Sequence, residues 1–305
     1  MDEIRLQLLK EVAGLHDIPE GAYNIRENGQ SIGRQSTEEI EIVPMEDGSG
    51  LNIYVKPGTK KKSLHIPVII SQSGLSEVVY NNFHIGADCD VTIIAGCGIH
   101  NGGSADSRHD GIHSFYIGEN SRVKYVEKHY GMGDGNGERI MNPETNVEMA
   151  KNSYMEMETV QIKGVDSTIR KTHAKLEEGA KIVITERLMT HGKQTAESYF
   201  DVTLDGEDSG ANLISRAVAK ENSYQKFVSR IIGNTACNGH SECDAIIMDH
   251  AKIEAVPELT ANSTEAALIH EAAIGKIAGE QITKLMTLGL TEAEAEEKIV
   301  EGFLR

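Results

Sequence analysis

The sequence has no tryptophan, and aromatic residues make up only 5% of its 305 positions, so a core organised around large rings is excluded. Basic residues are scarce relative to acids, at 30 Lys and Arg against 47 Asp and Glu. The resulting net charge of −17 repels phosphate backbones and anionic lipid, which argues against nucleic acid or a membrane surface as partner. Nowhere does an apolar run approach the roughly 18 residues that a membrane span needs, and the opening MDEIRLQLLKEVAGL carries acids among its apolar positions. The expectation is a soluble, unexported, cytoplasmic chain. Cysteine is limited to Cys89, Cys97, Cys237 and Cys243, and without a secretion signal these are expected to be free thiols in a reducing compartment. A Walker-type phosphate loop is missing too: GMGDGNGE, residues 131–138, lacks the Lys-Ser/Thr ending, so no ATP hydrolysis is expected of this chain.

What is abundant is glycine, with 30 residues, which suits many short strands joined by tight turns. Ile4, Leu8, Val12 and Leu15 fall at helical spacing, predicting one helix over Asp2–Leu15 that Pro19 and Gly21 end. From Glu38 to Glu258 runs of Val, Ile, Thr and Tyr alternate with Gly, Asn and Asp, the pattern of β structure. IGADCDVTIIAG, IGENSRVKYVEK, LEEGAKIVITER and LDGEDSGANLIS each pass through a polar turn into a β-branched strand. Steps from Val91 to Val123, Val183 to Leu213 and Leu213 to Ile246 suggest a repeat of about 30 residues, as in stacked solenoid coils. The repeat alone leaves a parallel β-helix and a β-sandwich both open. Beyond Pro257, Glu265–Ala278 and Glu280–Leu288 read as helical; Gly289 is placed as a cap, and Thr291 with Glu294 as a capping box for a last helix to Phe303. Three segments follow: a helical start over 1–25, a β core over 26–258 and a helical region over 259–305.

The chemistry in reach is that of thiols with imidazole and carboxylate. Taken alone, Cys97 between two glycines and Cys243 in alternation with Ala245 and Ile247 read as core side chains, and His270 and Glu271 as the start of a helix. CNGHSEC, with Cys237 and His240, is dense in ligands but lacks the paired spacing of a zinc site. HDGIH, with His109 and His113, lacks the adjacent Glu of a metalloprotease.

Three segments resemble the SufB/SufD family of iron–sulfur assembly scaffolds. They are AGCGIHNGGSADSRHDGIHSFYIGENSRVKY at 95–125, SECDAIIMDHAKIEAVPEL at 241–259 and HEAAIGKIAGEQITKLMTLGLTEAEAEEKIVEGF at 270–303. Ala95 departs from the family's Glu at that position. The resemblance implies a mainly β fold, a right-handed parallel β-helix flanked by an N-terminal helix and a C-terminal helical region. It implies Cys97 as sulfur acceptor, and Cys243, Glu271 and His270 as ligands of iron and of a transient iron–sulfur cluster, with Cys237 and His240 as added donors. Implied partners are a SufC-like ATPase, a second copy or a SufB/SufD-type paralogue, a sulfur donor and apo-protein recipients. The ATPase surface would include Ile282, Leu285, Leu288, Ile299 and Phe303. A cluster-free SufD-like subunit is the alternative within the family. A carbohydrate-active β-helix is the alternative outside it, and the absence of Trp and of a signal counts against it.

Overall fold

The computed structural model describes residues 3–305; Asp2, expected to open the first helix, lies outside the described residues. Helix α1 (Glu3–Ala13) ends two residues before Leu15 and buries Leu8 and Val12 of the expected stripe together with Leu9. A hairpin follows, β1 (Ala22–Glu27) and β2 (Gln30–Gln35), turned by Asn28 and Gly29, both at positive φ. A second antiparallel pair, β3 (Ile40–Pro44) and β4 (Gly50–Val55), lies beyond it. β2 and β3 are the terminal strands of the two sheets, so these pairs close one end of the molecule.

From there the chain alternates between two facing sheets. One takes β5 (Lys60–Ile70), β7 (Asp90–His100), β9 (Arg122–Met132), β12 (Tyr154–Lys163), β14 (Lys181–Thr190), β16 (Gly210–Ala219), β18 (Cys237–Ile247) and β20 (Ala266–Gly275). The other takes β6 (Ser76–Ile85), β8 (Ser107–Ile117), β10 (Arg139–Met141), β11 (Glu144–Met149), β13 (Ser167–Leu176), β15 (Thr195–Leu204), β17 (Tyr224–Gly233) and β19 (Lys252–Ala261). Neighbours among these strands pair in parallel, two strands to a coil, which makes the fold a parallel β-helix rather than a sandwich. The recurring polar turns are its corners: Asp88, Asn120, Asn152, Gly179 and Asp208 all take positive φ, where glycine and short polar residues are tolerated best.

Register agrees with the sequence repeat in part. Val91 pairs with Val123, as the spacing predicted, but Val183 pairs with Asn212, one residue short of Leu213. Leu213 pairs with Ser241, not Ile246, which pairs with Val218. The error has a physical source: the inward slot opposite Leu213 holds a serine, so matching apolar residue to apolar residue overshoots it.

The core lies between the sheets, with Phe83, Phe115, Tyr125 and Phe200 among its buried side chains. The C-terminal boundary differs from expectation. Residues 266–275, read as helical, form β20, and β19 continues to Ala261, so the β-helix extends well past Glu258 into the segment expected to be helical. AALIHEAAIG is rich in helix formers, yet in-register pairing along the free edge of β18 outweighs local propensity. Helices α2 (Gly279–Thr287) and α3 (Glu292–Phe303) follow, with the Thr291–Glu294 capping box formed and Gly289 at positive φ between them. α3 folds back so that Val300 and Leu304 join Val218 and Ile246.

α1 lies across the outer face of β7. A Cβ on Gly96 would fall 2.7 Å from the Val12 carbonyl oxygen, and one on Gly98 3.0 Å from Leu8 Cδ2. Gly96→Ala therefore loosens α1 and lowers stability by about 1–3 kcal/mol, which chemical denaturation and proteolysis near residue 13 would report.

Candidate thiol and metal site

β18 and β20 are the last two strands of the first sheet, and alternation sorts their side chains onto opposite faces. Cys243 points inward and is fully buried, next to Ser215 of β16 on one side and Ala272 of β20 on the other. Burial, followed by the charges of Glu186 and Asp244, pushes its thiol up to about 12. His270 shares the inward face and pairs with Ser241, diagonal to Cys243, which at the strand spacing and rise sets the two Cα atoms about 8 Å apart. The His270 Nδ1 is buried and has no hydrogen-bond partner among the described residues. Glu271, the next residue, points to the opposite face, where it sits 3.4 Å from His240 Nε2 and opposite Glu242. The expected ligands thus divide: Cys243 and His270 inside, His240 and Glu271 outside. Cys237 joins neither group, because it lies six residues along β18, about 20 Å from Cys243.

Cys97 sits at the other end of the coil stack. It is buried among Val68, Ile99 and Met141, beside a small cavity that His109, His113, Glu127 and His129 also line. Burial raises its thiol well above the ordinary range, and the charges of Glu77 and Glu127 add to this. Five strand steps separate Cys97 from Cys243, about 24 Å at the spacing of a sheet.

Between the two thiols the interior is polar. The inward slots of successive coils carry Glu127, Thr159, Glu186, Ser215 and then Cys243, each in register with the next. A second row runs from Cys97 to His129 to Gln161. Arg170 of β13 reaches across from the facing sheet. It pairs with Glu127, lies 3.4 Å from His129 Nδ1 and 3.9 Å from Glu186. Glu186 accepts from Ser198 at 2.5 Å and from Ser215 at 3.0 Å. Burial pushes the Glu127 carboxyl up, but Arg170 and then His129 more than offset it, and the group is held well below the usual carboxylate range. The result is two neighbouring rows of buried polar groups, one running from Glu127 to Cys243 with Ala95 beyond Glu127, the other starting at Cys97, with Arg170 placed against both Glu127 and His129.

The sequence reading did not single out Glu127, His129, Arg170, Glu186 or Glu242. A signal for the first four was present: VKYVEKH, TIRKT and ITERL each put a charged residue or histidine where strand alternation demands an inward side chain. Glu242 has no such mark, since it faces outward like most glutamates.

Comparison with known proteins gives one family. The model of the SufBD core domain of SUF-system FeS cluster assembly matches residues 69–303. An iron–sulfur cluster assembly SufBD family protein of Methanocaldococcus jannaschii is 29% identical over 85% of this chain and 82% of its own length. One from Pyrococcus horikoshii is 29% identical over 90% of this chain and 83% of its own length. One from Methanothermobacter thermautotrophicus is 29% identical over 84% of this chain, which spans 62% of that longer relative.

Two outcomes follow from the burial of these groups. In the native protein iodoacetamide leaves Cys97 and Cys243 unmodified at mildly alkaline pH, whereas all four thiols react in urea; peptide mass spectrometry reads the difference. Burial lowers His113 from 6.5 to about 4, so the unfolded chain binds this proton more readily than the folded one. Stability falls as pH drops from 6.5 towards 4, by about 3 kcal/mol from this group, and His113→Gln flattens that part of the profile in urea titrations.

Proposed function

This chain belongs to the SufBD family of iron–sulfur cluster assembly proteins, and on that premise we propose that it is the scaffold on which a cluster is put together at the open end of its β-helix. Sulfur enters at Cys97, whose buried, protonated thiol must first be uncovered for a donor. The Cys97 thiolate attacks the terminal sulfur of a donor persulfide, a new S–S bond forms on Cys97, and the donor leaves as a thiolate. His129, adjacent to Cys97 in the stack, is placed to take the thiol proton. Two equivalents of an external thiol then supply the two electrons: the first forms a mixed disulfide on Cys97 as the sulfur leaves as sulfide, and the second releases it as the thiol's own disulfide and restores the Cys97 thiol. The buried column from Glu127 to Ser215 is its route to Cys243, and this column is the observation that carries the proposal.

At the far end Cys243 contributes a soft thiolate and His270 an unpartnered imidazole nitrogen, a mixed set that holds iron without trapping it. The cluster is cargo, passed on to apo-protein recipients. Because the Cys243 thiol is buried and protonated, loading requires that this end open. The last strands supply the means: β19 and β20 end both sheets with a free edge, and Val256, Leu259, Ile269 and Ile274 are exposed there. A second copy, or a SufB/SufD-type paralogue, pairs at this edge. α2 buries none of its residues and presents Ile282, Leu285 and Met286, with Leu288 at its end, to a SufC-like ATPase. Ile299 and Phe303 pack on the chain's own β-helix and belong to that inner contact. Closure of the ATPase pair favours the open arrangement of the scaffold dimer by differential contacts.

Anaerobic reconstitution of the chain with its ATPase, ferrous iron and sulfide tests this. A thiolate-to-iron absorption band in the wild type, lost in Cys243→Ala, is the expected result. A band that persists in Cys243→Ala, or none in the wild-type complex, removes the scaffold role.

A further inference from the structure

The outer face of β18 and β20 holds a second group of ligands, separated from Cys243 and His270 by the backbone of the sheet. His240 and Glu242 stand on β18 and Glu271 on β20, and one ligand atom from each lies within 4.8 Å of the other two. Register sets Glu242 directly opposite Glu271, a like-charge pair that opposes folding unless a cation offsets it. The Glu242 carboxylate makes no hydrogen bond or ion pair among the described residues. Glu271 has His240 as its partner, at 3.4 Å.

The imidazole is oriented from its other side. Asn212, next to His240 in register, accepts from Nδ1 at 2.9 Å through its Oδ1. The proton of a neutral ring is thereby committed to Nδ1, and the Nε2 lone pair faces the Glu271 oxygen. Two acceptors directed at each other need a proton or a metal ion between them. The hydrogen bond from a metal ligand's remote nitrogen to an amide oxygen is the arrangement that fixes a ligating histidine.

We propose that His240, Glu242 and Glu271 form a docking site for one divalent first-row cation, ferrous iron in the setting of cluster assembly. One nitrogen and two carboxylate oxygens leave about three positions of an octahedral ion to water, so the ion exchanges readily. Its place is one strand position from Cys243 and on the opposite face, at the strand edge that must open for loading. Iron is held here on hard ligands before the softer thiolate takes it. Loading is ligand exchange alone and needs no electron donor. This role rests on the scaffold reading, whereas the site itself does not.

Mn²⁺ titrated into the full-length protein without sulfide, followed by electron paramagnetic resonance of the free ion, tests the site. The expected isotherm shows one saturable site per chain, weakened about tenfold in Asn212→Ala and by a larger factor in His240→Ala, Glu242→Gln and Glu271→Gln. Cys243→Ala leaves it unchanged while removing the thiolate–iron band, so failure here and failure of the scaffold role are separable. Absence of saturable binding in the wild type, or an isotherm indifferent to Glu242→Gln and His240→Ala, overturns the proposal. Loss of Mn²⁺ binding in Cys243→Ala also overturns it, because the ion would then lie on the inner face.

Discussion

In-register parallel stacking is the constraint on which everything else in this molecule depends. Once coils pair residue for residue, a side chain at an inward slot stacks on the inward slots of the coils before and after it, about 4.8 Å away. Apolar slots then merge into one core, and polar slots merge into one column. Cys97 and Cys243 are distant along the chain, yet the ladder from Glu127 through Thr159, Glu186 and Ser215 leads in a line to Cys243 and starts one row over from the Cys97–His129 stack.

Such a column is costly to build. A buried carboxylate without a partner costs several kcal/mol, and Glu127 and Glu186 are both buried. Arg170, projecting from the facing sheet, lies between them, and hydroxyls from Ser198 and Ser215 satisfy Glu186. Apolar residues of similar volume would stabilise the fold as well or better. The charged members of this interior are paired across the core so that the fold tolerates them, while the Thr159 hydroxyl between them has no partner among the described residues. A polar interior of this kind in a scaffold that must handle sulfur is a functional expense.

The two ends of the β-helix are treated differently. The first is closed by antiparallel hairpins, and near it α1 packs on the outer face of β7, an approach possible because Gly96 and Gly98 have no side chain. The last is left open, with β19 and β20 largely exposed even at inward positions. Placing the thiol, the orphaned imidazole and the outer His240–Glu242–Glu271 group at this edge puts all of them where a partner strand or a small rearrangement changes their access to solvent.

The sequence by itself determined the class of the fold, the corner turns, the helices α2 and α3 with their caps, and the family, because these reside in local signals: alternation, positive-φ residues, capping chemistry and contiguous motifs. Tertiary structure decided what local signals leave degenerate. AALIHEAAIG suits a helix or a strand, and the free edge of β18 made it a strand. That choice sent His270 inward and Glu271 outward, splitting one expected ligand set into two. It also set Glu242 opposite Glu271 and aligned Arg170 between two glutamates. Such partners lie tens of residues apart, and the register that unites them is fixed by the packing of whole coils rather than by any short stretch of chain.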